Sequence, residues 1–166
     1  PKNEIIFESL SGKLIVNVED GVYNLNFPSR MPVEADLPLI ISNSLNIQPR
    51  EILKSRDYVL VYDNETDIRN IKIDRQSFDQ INLAPGGMIV TAKGDNCDFV
   101  SRFFTPQTSI LEDPVTGSVH TVLAGIWGKR FSKTTLKAHQ CSAAGGEILV
   151  KADGPFVWIG GRTQIF

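Results

Sequence analysis

Residues 112–120 bring together residue types that could do chemistry at the start of a predicted helix. Asp113 precedes a proline, and Gly117 and Ser118 stand just before an apolar run whose spacing is typical of a buried helix. The first backbone N–H groups of a helix lack partners within the helix, and the helix dipole favours negative charge there. The stretch therefore predicts an anion-binding site at this helix start.

Each side chain of this stretch also has a purely structural interpretation. Asp113 before Pro-Val-Thr is a common turn and helix-start signal, so its spacing alone favours a capping role. Ser118 is equally a first-turn helical residue, and no Gly-x-Ser-x-Gly elbow marks it as a nucleophile. His120 lies on a different side of the helix from Ser118, and such a histidine is more often structural than catalytic.

A second group of reactive residue types lies near the end of the chain. His139 and Cys141 are two residues apart in a predicted strand and would share one of its faces. One such pair does not make a zinc site, and no second pair stands at ligand spacing, so we predict no metal. Cys97 and Cys141 do not open the apolar helix, which argues against a two-cysteine epimerase mechanism. Two cysteines are too few for a disulfide framework, so we expect a reduced, cytoplasmic setting.

Composition narrows the classes of function. The 166 residues fit one domain with a sizeable core, at 42% hydrophobic and 22% charged residues. The formal net charge is −2 and Lys and Arg form no long run, so we expect neither a nucleic acid nor an anionic membrane surface as partner. No apolar stretch approaches the roughly 20 residues of a membrane span, and residues 1–4 do not form a signal peptide. The missing initiator Met indicates a fragment or a processed piece.

Strands dominate the predicted elements. Alternation of apolar and polar residues predicts a β-meander that ends at Pro28. A short helix is predicted after Asp36 as N-cap, with Pro38 inside its first turn, and helical segments are predicted at 65–74 and 78–81. Further strands are predicted over residues 58–62, 88–92, 98–104, 136–141, 148–150, 156–159 and 163–166.

These elements predict an α+β fold. Its curved, mixed or mostly antiparallel sheet would wrap around one strongly apolar helix, at about residues 115–131. A doubly wound sheet is excluded because no regular alternation of strand and helix occurs. The aromatic residues Phe99, Phe103, Phe104 and Trp127 are predicted to pack in the core.

Several runs of this sequence resemble the PhzF-like isomerase family of phenazine biosynthesis. The central one is residues 98–106 followed by residues 112–120, and its Asp-Pro-Val-Thr-Gly-Ser element is the most specific part. Shorter matches occur at residues 11–14, 24–28, 139–142 and 145–147. The resemblance covers nearly the whole chain.

The resemblance implies a diaminopimelate-epimerase-like fold, in which two similar halves place their helix starts across a cleft. It also implies an isomerase that needs neither metal nor organic cofactor. The best-known family reaction moves a proton between ring carbons of a dihydro-hydroxyanthranilate. Backbone amides that match Gly117 and Ser118 would hold the carboxylate of the small substrate, and Asp113 matches a substrate-contacting residue. Thr116 and His120 are further substrate-binding candidates.

The motifs of the family's first half are absent from this sequence. It contains neither the Cys-Gly-His-Ala-Thr-like helix start nor the Asn-Leu-Ser-Glu-Thr-like motif with its catalytic Glu. About 80 to 100 residues of a family-typical chain are expected to be missing, given ordinary domain sizes. Residues 1–28 would then be a meander left over from the first half, and residues 29–166 the second-half domain. No catalytic residue is identified here, and the general base is expected in the missing half.

Three functions remain open on this basis. The chain supplies one wall of the cleft of a cofactor-independent isomerase, inactive alone and completed by a homodimer partner or by a separate chain that carries the first half. Alternatively, it is a non-catalytic domain that binds small carboxylates. As a third possibility, it is a protein-interaction domain whose exposed apolar surface associates with a partner.

Overall fold

The computed structural model describes residues 4–10 and 12–162, which form a single mixed sheet with short helices. The strands are β1 (Glu4–Ser9), β2 (Gly12–Glu19), β3 (Val22–Pro28), β4 (Val33–Glu34), β5 (Glu51–Lys54), β6 (Tyr58–Val61), β7 (Met88–Lys93), β8 (Phe99–Phe104), β9 (Thr135–Gln140), β10 (Gly146–Asp153) and β11 (Phe156–Gly161). The helices are α1 (Leu39–Ser44), α2 (Glu65–Asn70), α3 (Arg75–Phe78) and α4 (His120–Phe131).

The sheet has the strand order β1-β2-β3-β11-β10-β9-β8-β7-β6-β5-β4. Its pairs are antiparallel except β6–β7 and β8–β9, which are parallel. A parallel pair needs a long crossover between its strands, and here α2 and α3 cross between β6 and β7 while α4 crosses between β8 and β9. The predicted α+β class with a mixed, mostly antiparallel sheet is confirmed.

The predicted N-terminal meander is confirmed as β1, β2 and β3. Asp20 and Gly21 have φ values of 51° and 75°, the positive values that a two-residue hairpin turn requires. β3 continues into the rest of the sheet because it pairs with β11, with Leu25 opposite Ile159. The division of the chain at residue 28 stays a prediction.

Two hydrophobic cores pack on the strands, and alternate residues of one strand enter different cores. The first contains the buried side chains of α4, including Leu123 and Trp127, together with residues from β5 through β11. The second contains Ile41, Ile68 and Phe78 from the other three helices. The predicted aromatic packing is confirmed, although Phe104 lies in the second core and Phe99, Phe103 and Trp127 in the first.

The helix starts differ from the predictions. α1 begins at Leu39 with Pro38 in the N-cap position, so Asp36 is not its cap. Pro38 disfavours helical backbone at the residue before it, which prevents an earlier start. α4 begins at His120, five residues later than predicted, and ends at Phe131 as predicted. Ser132 follows with a left-handed φ of 53°.

The remaining predicted elements correspond to those observed, with shifted ends. α2 ends at Asn70 rather than near residue 74, and Asn64 caps it by accepting from the N–H of Asp67 at 2.8 Å. α3 lies earlier than the predicted turn at 78–81. The predicted strands between residues 58 and 159 correspond to β6 through β11. The predicted strand at 163–166 lies outside the described residues. Within the described ranges, no helix has the length and apolar character of a membrane span.

Candidate functional site

The sequence-predicted site lies in the loop of residues 105–119 that connects β8 to α4. The loop turns back along β8: the N–H of Thr105 donates to the carbonyl of Leu111 at 2.9 Å, and Asp113 donates to Phe103 at 3.1 Å. The loop starts where β8 ends, and β9 runs parallel to β8, so the last residue of β9 reaches the same edge of the sheet. That edge therefore brings Gln140 to the loop.

A partly buried ion pair fixes the start of the site. Arg102 donates from Nε and Nη2 to the two carboxylate oxygens of Glu112 at 2.7 and 2.9 Å. Its Nη1 donates to the carbonyls of Ile68 and Ile71, at the end of α2, at 3.0 and 2.9 Å. Charge-assisted hydrogen bonds in a fork of this kind hold both geometry and position. Arg102 therefore links the site loop to α2.

The fully buried side chain of Gln140 holds the centre of the loop. Its Oε1 accepts the N–H of Thr116 at 2.8 Å, and its Nε2 donates to the carbonyl of Asp113 at 2.8 Å and to Thr116 Oγ1 at 3.2 Å. These bonds satisfy two backbone groups that would otherwise be buried without partners. They also fix the backbone of Thr116, the residue that precedes the exposed turn.

Asp113 is half-buried and faces its own loop. Its Oδ2 accepts from Thr116 Oγ1 at 2.6 Å, whereas Oδ1 makes no hydrogen bond to any described residue. Val119 occupies the N-cap position of α4 without a side-chain cap, so the capping interpretation of Asp113 is wrong. The distance along the chain is the reason, since Asp113 stands six positions before Val119. One carboxylate oxygen thus stays available to a ligand.

Gly117 and Ser118 form an exposed turn immediately before α4. Within the described residues, neither backbone N–H donates a hydrogen bond. A Cβ added at Gly117 would meet no atom within 4 Å, so the space above this backbone is open. The carbonyls of the turn face the helix instead: Gly117 accepts from the N–H of His120 at 3.0 Å, and Ser118 from Thr121 Oγ1 at 2.8 Å. Two solvated donors therefore lie side by side at a helix start.

Thr116 and His120 lie beneath this turn. Thr116 is 9% exposed and His120 is fully buried, with its Nδ1 bonded to the carbonyl of Thr116 at 2.8 Å. Burial lowers the pKa of His120 to about 4, so the ring is neutral at pH 7 and its Nδ1–H donates to that carbonyl. Thr116 and His120 therefore support the loop from inside.

Of the second group of reactive side chains, His139 lines a separate groove and Cys141 does not. The lining of this groove includes Glu65, Arg69, Cys97, His139 and Glu147, and no residue of the 112–120 stretch. Burial raises the pKa of the Cys97 thiol and raises that of the neighbouring thiol at position 141 to about 11, so both thiols are protonated at neutral pH. Across residues 4–10 and 12–162, no three His, Cys, Asp or Glu side chains are placed to hold a metal ion.

Three residues that position the site were not singled out from the sequence: Arg56, Arg102 and Gln140. A signal for Gln140 was present, because alternation along β9 puts it on the face of Leu136 and Ala138, which is the buried face. A polar side chain at the end of a buried face indicates a backbone group nearby that needs a partner. Arg56 and Arg102 gave no comparable signal, because Ser118 and Glu112, the site-loop residues that they bond, lie 62 and 10 positions away in the sequence.

Comparisons with known proteins identify the family of this chain. A family model described as a phenazine biosynthesis-like protein, PhzC-PhzF, matches residues 3–158. The chain belongs to this family. PhzC-PhzF relatives include an uncharacterised isomerase of Pseudomonas aeruginosa, 40% identical over 166 residues, which are 99% of this chain and 63% of that protein. Another uncharacterised isomerase, from Halalkalibacterium halodurans, is 32% identical and covers 96% of this chain and 61% of its own length.

The fold of the PhzC-PhzF chain agrees with a solved structure of the family. The crystal structure of a PhzF-family phenazine biosynthesis protein from Enterococcus faecalis matches with a TM-score of 0.92 and 37% identity. That match covers 99% of this chain and 63% of the solved chain. The family predicted from the sequence is confirmed. The chain spans less than two thirds of the length of these relatives.

Proposed function

We propose that this PhzC-PhzF chain supplies one wall of the active-site cleft of an isomerase that transfers a proton on a small carboxylate substrate. The observation that carries the proposal is the pair of N–H groups in the exposed turn of Gly117 and Ser118, which donate to no described residue, together with Asp113 Oδ1 of the same loop, which accepts from none of the described residues. An acceptor-rich anion fits the two N–H donors, and the dipole of α4 favours its negative charge. Asp113 Oδ1 accepts from an amino or hydroxyl group on the same substrate.

In this proposal, the general base that moves the proton does not belong to this chain. The carboxylate of the substrate binds the two amides, and Asp113 fixes the orientation of the rest of the substrate. Positioning of this kind converts proton abstraction into a step within one complex, since the acidic carbon is held against the base. The amides stay in place because Gln140 and His120 hold the loop beneath them. The reaction proposed here uses neither a metal nor an organic cofactor.

We also propose the finer fold of a diaminopimelate-epimerase-like half, with α4 as its central helix. Supporting this, buried residues of α4 such as Leu123 share one core with strands from β5 through β11. A homodimer partner or a separate chain would supply the second wall. The free thiols of Cys97 and Cys141 favour a cytoplasmic setting.

Solvent-deuterium exchange tests the proton transfer. The chain is co-expressed with the part of the Pseudomonas aeruginosa relative that it does not match, and a dihydro-hydroxyanthranilate is incubated with the complex in D₂O. We expect deuterium at the ring carbon that gains the proton, and a loss of about 100-fold in rate for Asp113→Ala because the substrate is misplaced. The control is Asp63→Ala, an exposed aspartate paired with Arg50. Exchange at the full rate in Asp113→Ala would contradict the proposed role.

A protein-interaction role is the second candidate, and the surface of β1 favours it. Ile5, Ile6 and Phe7 are each about half exposed, at 48, 50 and 52%. β1 ends the strand order, so its outer edge pairs with no other strand within the described residues. Exposed apolar side chains on an open strand edge are typical of a surface that associates. Light scattering at increasing protein concentration tests this role, and a monomer throughout would contradict it.

A further inference from the structure

Arg56 lies next to the Gly117–Ser118 turn although it is distant in the sequence. It belongs to the tight turn between β5 and β6, and its Nη2 donates to Ser118 Oγ at 3.4 Å. The proposed function gives Arg56 no part. Its contact is the one hydrogen bond that joins the exposed turn to the β5–β6 connection within the described residues.

The guanidinium of Arg56 is held by the buried carboxylate of Asp57, which is 2% exposed. Nε lies 3.2 and 3.1 Å from the two carboxylate oxygens, and Nη2 lies 2.8 Å from Oδ2. Asp57 is fixed in turn, because its Oδ1 accepts the N–H of Gly87 at 2.8 Å. Paired donors on one carboxylate define the plane of a guanidinium. Arg56 is therefore held in place, while 32% of its side chain stays exposed beside the turn.

The contact determines what the Ser118 hydroxyl can do. A hydroxyl has one hydrogen to donate and two lone pairs that accept. When a cationic N–H occupies a lone pair, the hydroxyl hydrogen stays free to donate and becomes more strongly polarised. Ser118 Oγ makes no other hydrogen bond within the described residues. A ligand oxygen at the turn would thus meet three donors: two backbone N–H groups and the Ser118 hydroxyl.

We infer that Arg56 is a positioning residue that turns the Ser118 hydroxyl into a donor for the substrate carboxylate, so that the site selects anionic over neutral ligands. The inference rests on the proposed function, since it names the residue that gives the Gly117–Ser118 site its ligand class. Nη1 of Arg56 makes no hydrogen bond to any described residue and adds positive charge at the mouth of the same site.

Binding of benzoate, with benzamide as its neutral counterpart, tests the inference on the ¹⁵N-labelled chain by NMR titration. We expect Arg56→Gln to weaken benzoate binding about tenfold, as for the loss of one charge-assisted hydrogen bond, and to leave benzamide unchanged. Arg50→Gln is the matched control, because Arg50 also pairs with an aspartate but at an exposed place away from the turn.

A double-mutant cycle separates action through Ser118 from a general loss of structure. If Arg56 acts through the hydroxyl, Arg56→Gln in a Ser118→Ala background should weaken benzoate binding by less than about threefold. Because Arg56→Gln leaves the carboxylate of Asp57 buried without its cation, the pair Arg56→Gln with Asp57→Asn is measured as well. The amide oxygen of the introduced asparagine can still accept the N–H of Gly87, so the fold is preserved.

The outcomes distinguish the inference from the proposed function. Benzoate affinity within twofold of the original chain, in both Arg56→Gln and the double variant with Asp57→Asn, would overturn the inference and leave the proposed function standing. An original chain that shows no benzoate-induced shift at the amides of Gly117 and Ser118 would overturn the proposed function, and the inference with it. A tenfold, benzoate-specific loss that disappears in the Ser118→Ala background supports both.

Discussion

Residues 112–119 of the site loop and the meander β1–β3 both reach the surface, but different interactions hold them. The loop is fixed by buried polar side chains, with Gln140 and His120 bonded to its backbone and Arg102 bonded to Glu112. The meander is held by its strand pairing, and apolar side chains such as Phe7 are half exposed. The loop presents donors at a fixed position, whereas the meander presents apolar area.

This difference separates two uses of an exposed surface. Two N–H donors can bind a ligand well only if their positions are fixed beforehand, because ordering them on binding would cost affinity. Buried polar bonds beneath the Gly117–Ser118 turn provide that order. Exposed apolar side chains on an edge strand need no such support, and they favour association with another protein surface. We therefore propose ligand binding for the loop and partner binding for the meander.

The largest expected effect comes from removing the polar support of the loop. Gln140→Leu should lower the free energy of unfolding by about 4 kcal/mol, because the N–H of Thr116 and the carbonyl of Asp113 lose their buried partner. Urea unfolding measures this. The control is Lys137→Leu, the same change at an exposed position of β9. Equal losses in the two variants would mean that the bonds of Gln140 do not support the loop.

The second effect is a pH dependence that comes from His120. Its pKa is about 4 in the folded chain, because burial disfavours the charged ring, against about 6.5 when unfolded. Between pH 6.5 and pH 4 the unfolded chain therefore binds more protons, so stability falls as the pH falls, by about 3 kcal/mol in total. Urea unfolding at several pH values, compared between the original chain and His120→Asn, isolates this contribution. Identical pH dependences would contradict a neutral, buried ring beneath the turn.

A smaller effect on stability distinguishes ligand contact from capping. Asp113→Ala should cost about 1 kcal/mol, because one hydrogen bond from Thr116 is lost, and so should Asp74→Ala, which removes the side-chain cap of α3. Only Asp113→Ala should also slow the deuterium exchange described above, by about 100-fold. Chemical denaturation and the exchange assay together measure the two losses. If the two variants retained equal exchange, Asp113 would have no ligand role.

The smallest effect on stability is expected in the meander. Phe7→Ser should change the free energy of unfolding by no more than about 0.5 kcal/mol, because half of this side chain is already exposed. Its effect should appear in association, as a shift toward monomer in light scattering. Glu8→Ser, the next residue on the same strand, serves as control. An unchanged assembly state in Phe7→Ser would remove the meander as a partner surface.

Local sequence patterns predicted most of the fold because most of its elements are locally specified. The alternation that ends at Pro28 predicted the meander, and the continuous apolar run from Tyr58 predicted a buried strand. The predicted start of α4 was wrong because the backbone after Thr116 forms a turn. The carbonyl of Thr116 accepts from the ring of His120, while the N–H of His120 donates to the carbonyl of Gly117, so the helical bond between these two backbone groups is not formed. Gln140, which bonds the N–H of Thr116, is 24 positions away, and the sequence around Thr116 does not predict that contact.

The position of the candidate site was likewise predictable from the sequence, but the residues that hold it in place were not. The Asp-Pro-Val-Thr-Gly-Ser run predicted Asp113, Gly117 and Ser118 around one helix start, with the helix from about residue 115, whereas the structure has all three in the loop before α4. The contact between Arg56 and Ser118 depends on the order of the strands, since β5 comes to the site only through the pairing of β6, β7 and β8. Pairing over such distances along the chain follows from the whole fold, so no short window of sequence predicts it.

An amide-resolved NMR titration of the chain with benzoate tests the central claim most directly. The claim is that the N–H groups of Gly117 and Ser118 bind a carboxylate while the meander does not. We predict that the largest saturable shifts fall on these two amides and that β1–β3 shows none. Shifts confined to the meander or to the groove around His139, or no saturable shift at Gly117 and Ser118, would contradict the claim.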